Sequence, residues 1–98
     1  MELEEFKARM GEDEPEEFLN FPAVEHKLSQ RPDLHAFLLL DQLVPGTTDI
    51  ISGAEHDQFY LSVDPEDLAP LITSEQATDL IRCGVIYDEE TDSLFMFS

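Results

Sequence analysis

Residues 73–97 read TSEQATDLIRCGVIYDEETDSLFMF, and this stretch decides the fold. Thr73 at the N-cap with Gln76 three positions later is the signature of a capping box. Behind it, Ala77, Leu80 and Ile81 recur at helical spacing as an inner face, while Glu75, Thr78, Asp79 and Arg82 face out. Gly84 supplies the left-handed residue that closes such a helix. Val85-Ile86-Tyr87 and Leu94-Phe95-Met96-Phe97 then predict a β-hairpin with an acidic tip over Asp88-Glu89-Glu90-Thr91-Asp92. In the last strand, alternation sends Leu94 and Met96 to one face and Phe95 and Phe97 to the other, so both faces are apolar. One meets the core. The other needs a cover: the N-terminal helices, a second copy of the chain in a homodimer, or a partner.

Upstream, Asp64-Pro65 places an acid at the N-cap and proline at the first helical position of a short helix ending near Leu71. Before it, Phe59 to Val63 alternates Phe59, Leu61 and Val63 to one side of a strand. Ile50-Ile51 reads as a short strand and Ser52-Gly53-Ala54 as a turn. Pro32 to Val44 predicts the central core helix, with Leu34, Phe37, Leu38 and Leu40 to Val44 as a broad apolar face ended by Pro45-Gly46. A short helix is expected over Pro22 to Gln30, with Val24 and Leu28 inside. Met1 to Met10 forms another, with Leu3, Phe6 and Met10 on one side, and Gly11 to Pro15 breaks it with like charges, glycine and proline. These signals predict a loosely attached acidic helical arm over 1–15 and a single α+β domain over 16–98.

From residue 32 the order is helix, strand, helix, helix, hairpin. It resembles a winged helix-turn-helix, with the strand at 59–63 completing a three-stranded sheet. A DNA-reading winged helix carries Lys, Arg, Asn or Gln on its second helix. Here that helix exposes Glu75, Asp79 and Arg82, and the wing carries Asp88, Glu89, Glu90 and Asp92, so the resemblance implies a topology whose DNA-reading surface has been lost. Glu55-His56-Asp57, Ile81-Arg82-Cys83-Gly84-Val85 and the run from Tyr87 to Phe97 look like small phage and prophage proteins. That resemblance implies an inhibitor of host defence or of nucleic-acid enzymes.

Charge sharpens the reading. The 98 residues include 23 acids and 5 bases, a net charge of −18, while 42% are apolar. The apolar share supports a folded core, and the charge argues against direct binding of nucleic acid or an anionic membrane, which need a basic footprint. From Gly46 onward Arg82 is the only base. Caps and turns account for individual acids, Asp64, Glu66 and Asp67 at a helix start among them, but ordinary surfaces intersperse signs. Carboxylates on a rigid surface can stand in for backbone phosphates and occupy a basic groove. The expected partner-binding residues are Asp64, Glu66, Asp67, Glu75, Asp79, Asp88, Glu89, Glu90 and Asp92, and the expected partner is a protein with a basic, nucleic-acid-binding surface.

Other chemistry finds little footing. Asp88 to Asp92 lacks the spacing and later glutamate of a calcium loop. His26, His35 and His56 form no ligand pair at metal spacing, and His56-Asp57 lacks a nucleophile. Cys83 alone excludes an intrachain disulfide and reads as a buried structural thiol. Arg82 reads as an internal ion-pair partner for Asp79, Asp88 or the 64–67 acids. No cofactor and no enzymatic activity are expected. With no leader pattern and no apolar run long enough to span a bilayer, a cytoplasmic location is the expectation. The alternative function is a structural or assembly protein that self-associates through the apolar terminal strand.

Overall fold

The computed structural model describes residues 1–97. In chain order it contains α1 (Leu3–Met10), α2 (Pro32–Leu43), β1 (Ile51–Glu55), β2 (Gln58–Leu61), α3 (Pro65–Leu68), α4 (Ser74–Arg82), β3 (Val85–Asp88) and β4 (Ser93–Phe97), with single 3-10 turns at Phe21–Ala23 and Ala69–Leu71. The strands form one antiparallel sheet in the order β1-β2-β4-β3. Helices and sheet share a core, so the class is α+β.

The 73–97 unit folds as its residues dictate. Thr73 Oγ1 accepts from the Gln76 amide at 3.1 Å, and Gln76 Oε1 accepts from the Thr73 amide at 3.0 Å. This capping box satisfies backbone groups that would otherwise be orphaned at the start of α4. Ala77, Leu80 and Ile81 are buried beneath it. Gly84 closes the helix at φ +96°, a backbone conformation that favours glycine; a β-carbon there would also press on the tip of the exposed Leu19 side chain, which would have to shift.

Strand register fixes which residues meet the core. Met96 stands opposite Phe59 on β2 and Val85 on β3, while Phe95 stands opposite Tyr60 and Ile86. The Phe59–Met96–Val85 row faces inward with Leu94. The Tyr60–Phe95–Ile86 row lies on the outer face with Phe97, which is 52% exposed. A three-stranded sheet was expected here; β1 extends it to four.

Several upstream expectations are corrected. Ser52-Gly53-Ala54 is not a turn but the middle of β1, where the register shifts between Ile51 and Gly53. Glycine in a strand marks such an irregularity as readily as it marks a turn. The reversal falls at His56-Asp57, between the paired Glu55 and Gln58. In α2, Leu34 and Leu38 are exposed and His35 is buried with Ala36, Leu39 and Leu40.

The helix expected over Pro22 to Gln30 reduces to the 3-10 turn Phe21–Ala23. Side chains serve its backbone instead: the Leu28 amide donates to His35 Nδ1 at 3.0 Å, and Lys27 Nζ donates to the Val24 carbonyl at 2.8 Å. Val24 is buried as expected, but Leu28 is exposed.

The N-terminal segment is the largest correction. Residues 1–15 are not a loose arm, because Phe6 and Met10 are fully buried in the same core as Leu40, Leu61, Leu68, Leu80 and Leu94. Helix α1 packs against α3, α4 and β3. Polar bridges fasten it: Lys7 pairs with Asp92 at 3.1 Å, and Arg9 donates to Thr78 Oγ1 at 2.8 Å. Further along, Glu17 receives Arg82 at 2.6 Å. The domain therefore includes the segment that charge and punctuation alone set apart.

Candidate functional site

The expected binding acids are divided among the start of α3, the hairpin loop, where Asp88 lines a groove apart from Glu89 and Asp92, and α4. Asp64 caps α3 by accepting from the Glu66 amide at 2.9 Å, and Glu66 and Asp67 stand exposed in the first turn, where the helix dipole favours negative charge. Asp64 and Asp92 line one depression together, joining the start of α3 to the hairpin loop. Asp92 also lines the adjoining depression with Glu4, Lys7, Tyr87 and Glu89. The start of α3 and the hairpin loop therefore adjoin, and the hairpin loop adjoins α1; Glu66, Asp67 and Glu90 line neither depression, and Lys7 stands among the acids of the second. Glu75 and Asp79 lie elsewhere, on a cavity of about 330 Å³ lined also by His26, His35, Gln42 and Gln76.

Internal contacts divide these acids by duty. Asp88 accepts from the Glu90 amide at 3.1 Å and from Thr91 Oγ1 at 3.0 Å, which shapes the loop. Asp92 accepts from the Tyr87 hydroxyl and faces Lys7. Those two contacts, Tyr87 first, hold its carboxyl below the usual range, and the same hydrogen bond pushes the Tyr87 phenol up. Asp79 pairs with Arg82 at 3.0 Å. Among the described residues, Glu66, Asp67, Glu75, Glu89 and Glu90 have no such partner for their carboxylates, so their charge is directed to solvent.

Four of the five bases, all but the exposed Arg31, do the opposite. Lys7, Arg9 and Arg82 bridge to acids or Thr78, and Lys27 holds backbone carbonyls with its ammonium 5.1 Å from the Phe21 ring centre. Arg82 was expected to pair with Asp79, Asp88 or the 64–67 acids. It takes Asp79 and, more closely, Glu17, whose carboxyl the guanidinium holds below its ordinary range. Glu17 is 65 positions away in sequence, and no local pattern points to it. Lys7 was missed for the same reason.

His35 is 3% exposed, and burial lowers its pKa from the ordinary value. Its Nδ1 accepts from Leu28 and so is unprotonated, which places the proton on Nε2; that atom is buried and has no partner among the described residues. As pH falls below about 6.5 the unfolded chain takes up the proton first, so the stability due to neutral His35 is full above that point and is lost on acidification. The urea midpoint of His35→Asn, whose amide oxygen can still accept from Leu28, is expected to fall less between pH 7 and 5.5 than that of the parent. Equal pH dependence in the two proteins would contradict this.

Cys83 is 2% exposed, and burial, reinforced by Asp79 and Asp33, pushes its thiol up to about 12. A thiol-directed disulfide reagent at pH 8 is expected to label it only after unfolding, because the thiolate is the reactive form.

Among the described residues no cluster of three or more His, Cys, Asp or Glu is placed to hold a metal ion, and no helix is long and apolar enough to cross a membrane. Comparison with protein-family models, curated proteins and solved structures returns no significant match to this chain.

Proposed function

We propose that the chain is an inhibitory or regulatory binder whose acidic face occupies the basic surface of a nucleic-acid-binding protein. The observation that carries this reading is charge density. Duplex DNA carries one negative charge per ~1.7 Å of axis, or about 16 over 28 Å. This chain holds a net −18 within 28 × 26 × 26 Å, with Lys7, Arg9, Lys27 and Arg82 engaged internally. A basic groove built to attract phosphate would be steered to it by the same field. The acidic zone from Asp64, Glu66 and Asp67 to Glu89, Glu90 and Asp92 is the contact surface. Glu75 and Asp79 would reach a second part of the target, and in the winged-helix reading they occupy the helix that otherwise meets DNA.

The resemblance to small phage and prophage proteins sets the target class as a bacterial nucleic-acid enzyme or defence complex. A second reading, self-association as a structural protein, draws support from Phe97, which is 52% exposed on the outer sheet face. Capture from a bacterial lysate with stepped-salt elution separates the two. The binder reading expects a nucleic-acid-binding protein, released as salt rises because exposed charge pairs are screened. Recovery of the chain alone, as an oligomer that resists salt, would favour assembly.

A further inference from the structure

The outer face of the sheet holds a feature that charge does not explain. Ile86, Phe95 and Phe97 form an apolar floor on β3 and β4, with Phe18 beside it, in a groove of about 390 Å³. The Phe95 and Phe97 rings stand 5.5 Å apart at 85°, and Tyr60 continues the row 6.2 Å from Phe95. The acidic segment Glu12-Asp13-Glu14 and Asp88 line the same groove. Glu12 has only a 3.7 Å exposed contact with Arg9, and among the described residues Asp13 and Glu14 have no ion pair.

We propose that this groove binds a cationic, apolar-anchored peptide segment of the partner, one that sets a Leu- or Phe-like side chain on Phe95 and Phe97 and Arg or Lys against Glu12, Asp13 and Glu14. Two features select that occupant. An aromatic floor takes an apolar anchor and the face of a guanidinium equally well, and such pockets concentrate binding energy. The anionic wall selects against acidic segments and against a second copy. A two-fold contact sets the same patch on both subunits, and this patch carries an acidic wall on chains that each have a net charge of −18, so two copies brought together here would repel one another. This inference rests on the reading of the chain as a binder of basic proteins. It adds a second site, which adjoins the Asp92 depression at Gly11 and Tyr87, and a demand for apolar chemistry.

The test titrates the full chain with three 12-residue peptides: Arg alternating with Leu, Arg alternating with Gly, and Glu alternating with Leu. Amide chemical shifts report the site. The Arg/Leu peptide is expected to bind at least about tenfold more tightly than Arg/Gly, a difference of ~1.4 kcal/mol, and to shift Ile86, Phe95 and Phe97. Glu/Leu is expected not to bind. Phe97→Ser, on an exposed side chain, is expected to keep the native spectrum and abolish the Arg/Leu preference. The variant Glu89→Lys/Glu90→Lys is expected to weaken both Arg peptides alike and keep their ratio.

Equal binding of Arg/Leu and Arg/Gly, or shifts confined to the Asp64–Asp92 zone, would overturn the groove while sparing the acidic-binder reading. Failure of both Arg peptides to bind would overturn the groove and count against that reading as well. A wild-type dimer in sedimentation, made monomeric by Phe97→Ser, would assign the face to a second copy and overturn the proposal.

Discussion

Phe6→Ala is expected to lower the stability of the whole domain by about 3–5 kcal/mol, the range for deleting a buried aromatic ring. At ~4–8 °C per kcal/mol for a domain of up to about 100 residues, the thermal midpoint should fall by roughly 12 °C or more. Phe6 is completely buried, and α1 meets α3, α4 and β3 around it, so the loss should appear as one cooperative transition reported alike by near- and far-ultraviolet dichroism. A loosely attached arm would give a different result: fraying of residues 1–15 with the midpoint of the remainder unchanged. Leu3→Ala, on a half-buried residue of the same helix, should cost less and serves as the graded control.

Reversing Glu66, Asp67, Glu89 and Glu90 to lysine is expected to weaken binding to a basic partner by about 100-fold or more, since each change replaces attraction with like-charge repulsion. The same variant should fold normally with little net change in stability, because loss of negative charge at the α3 start, where the helix dipole favours it, opposes the relief of self-repulsion. These carboxylates have no internal partner among the described residues, and lowering the net charge from −18 relieves self-repulsion. Titration calorimetry and a urea melt on the same sample check both halves. Reversal of Asp92 makes a poor substitute, because it would break the contacts with Lys7 and Tyr87 and confound binding with stability.

The 73–97 unit was legible because its signals are local and agree with one another: capping box, helical stripe, left-handed glycine and strand alternation all fall within 25 positions. The segments that misled are those whose backbone or charge is served by residues outside the local pattern, some of them seven positions away and others 65 or more. Leu28 gives its amide to His35 rather than to a helix, and Gly53 sits at a bulge where composition suggests a turn. The attachment of 1–20 depends on Lys7–Asp92, Arg9–Thr78 and Glu17–Arg82, each spanning at least 65 positions. In a chain so rich in acid, the sequence offers many partners for each base and no reason to choose among them. For the surface, composition gave sign and abundance, but the division of acids between internal contacts and solvent required coordinates. Asp64, Asp79, Asp88 and Asp92 proved to have structural duties that Glu66, Glu75, Glu89 and Glu90 do not share.

The most direct test of the central claim is competition between this chain and a short DNA duplex for a nucleic-acid-binding protein recovered from the lysate, repeated across a salt series. The acidic-binder account predicts mutually exclusive binding and an affinity for the chain that falls steeply as salt rises, as it does for the duplex. A stable ternary complex, an affinity indifferent to salt, or a lysate that yields no nucleic-acid-binding protein would contradict it.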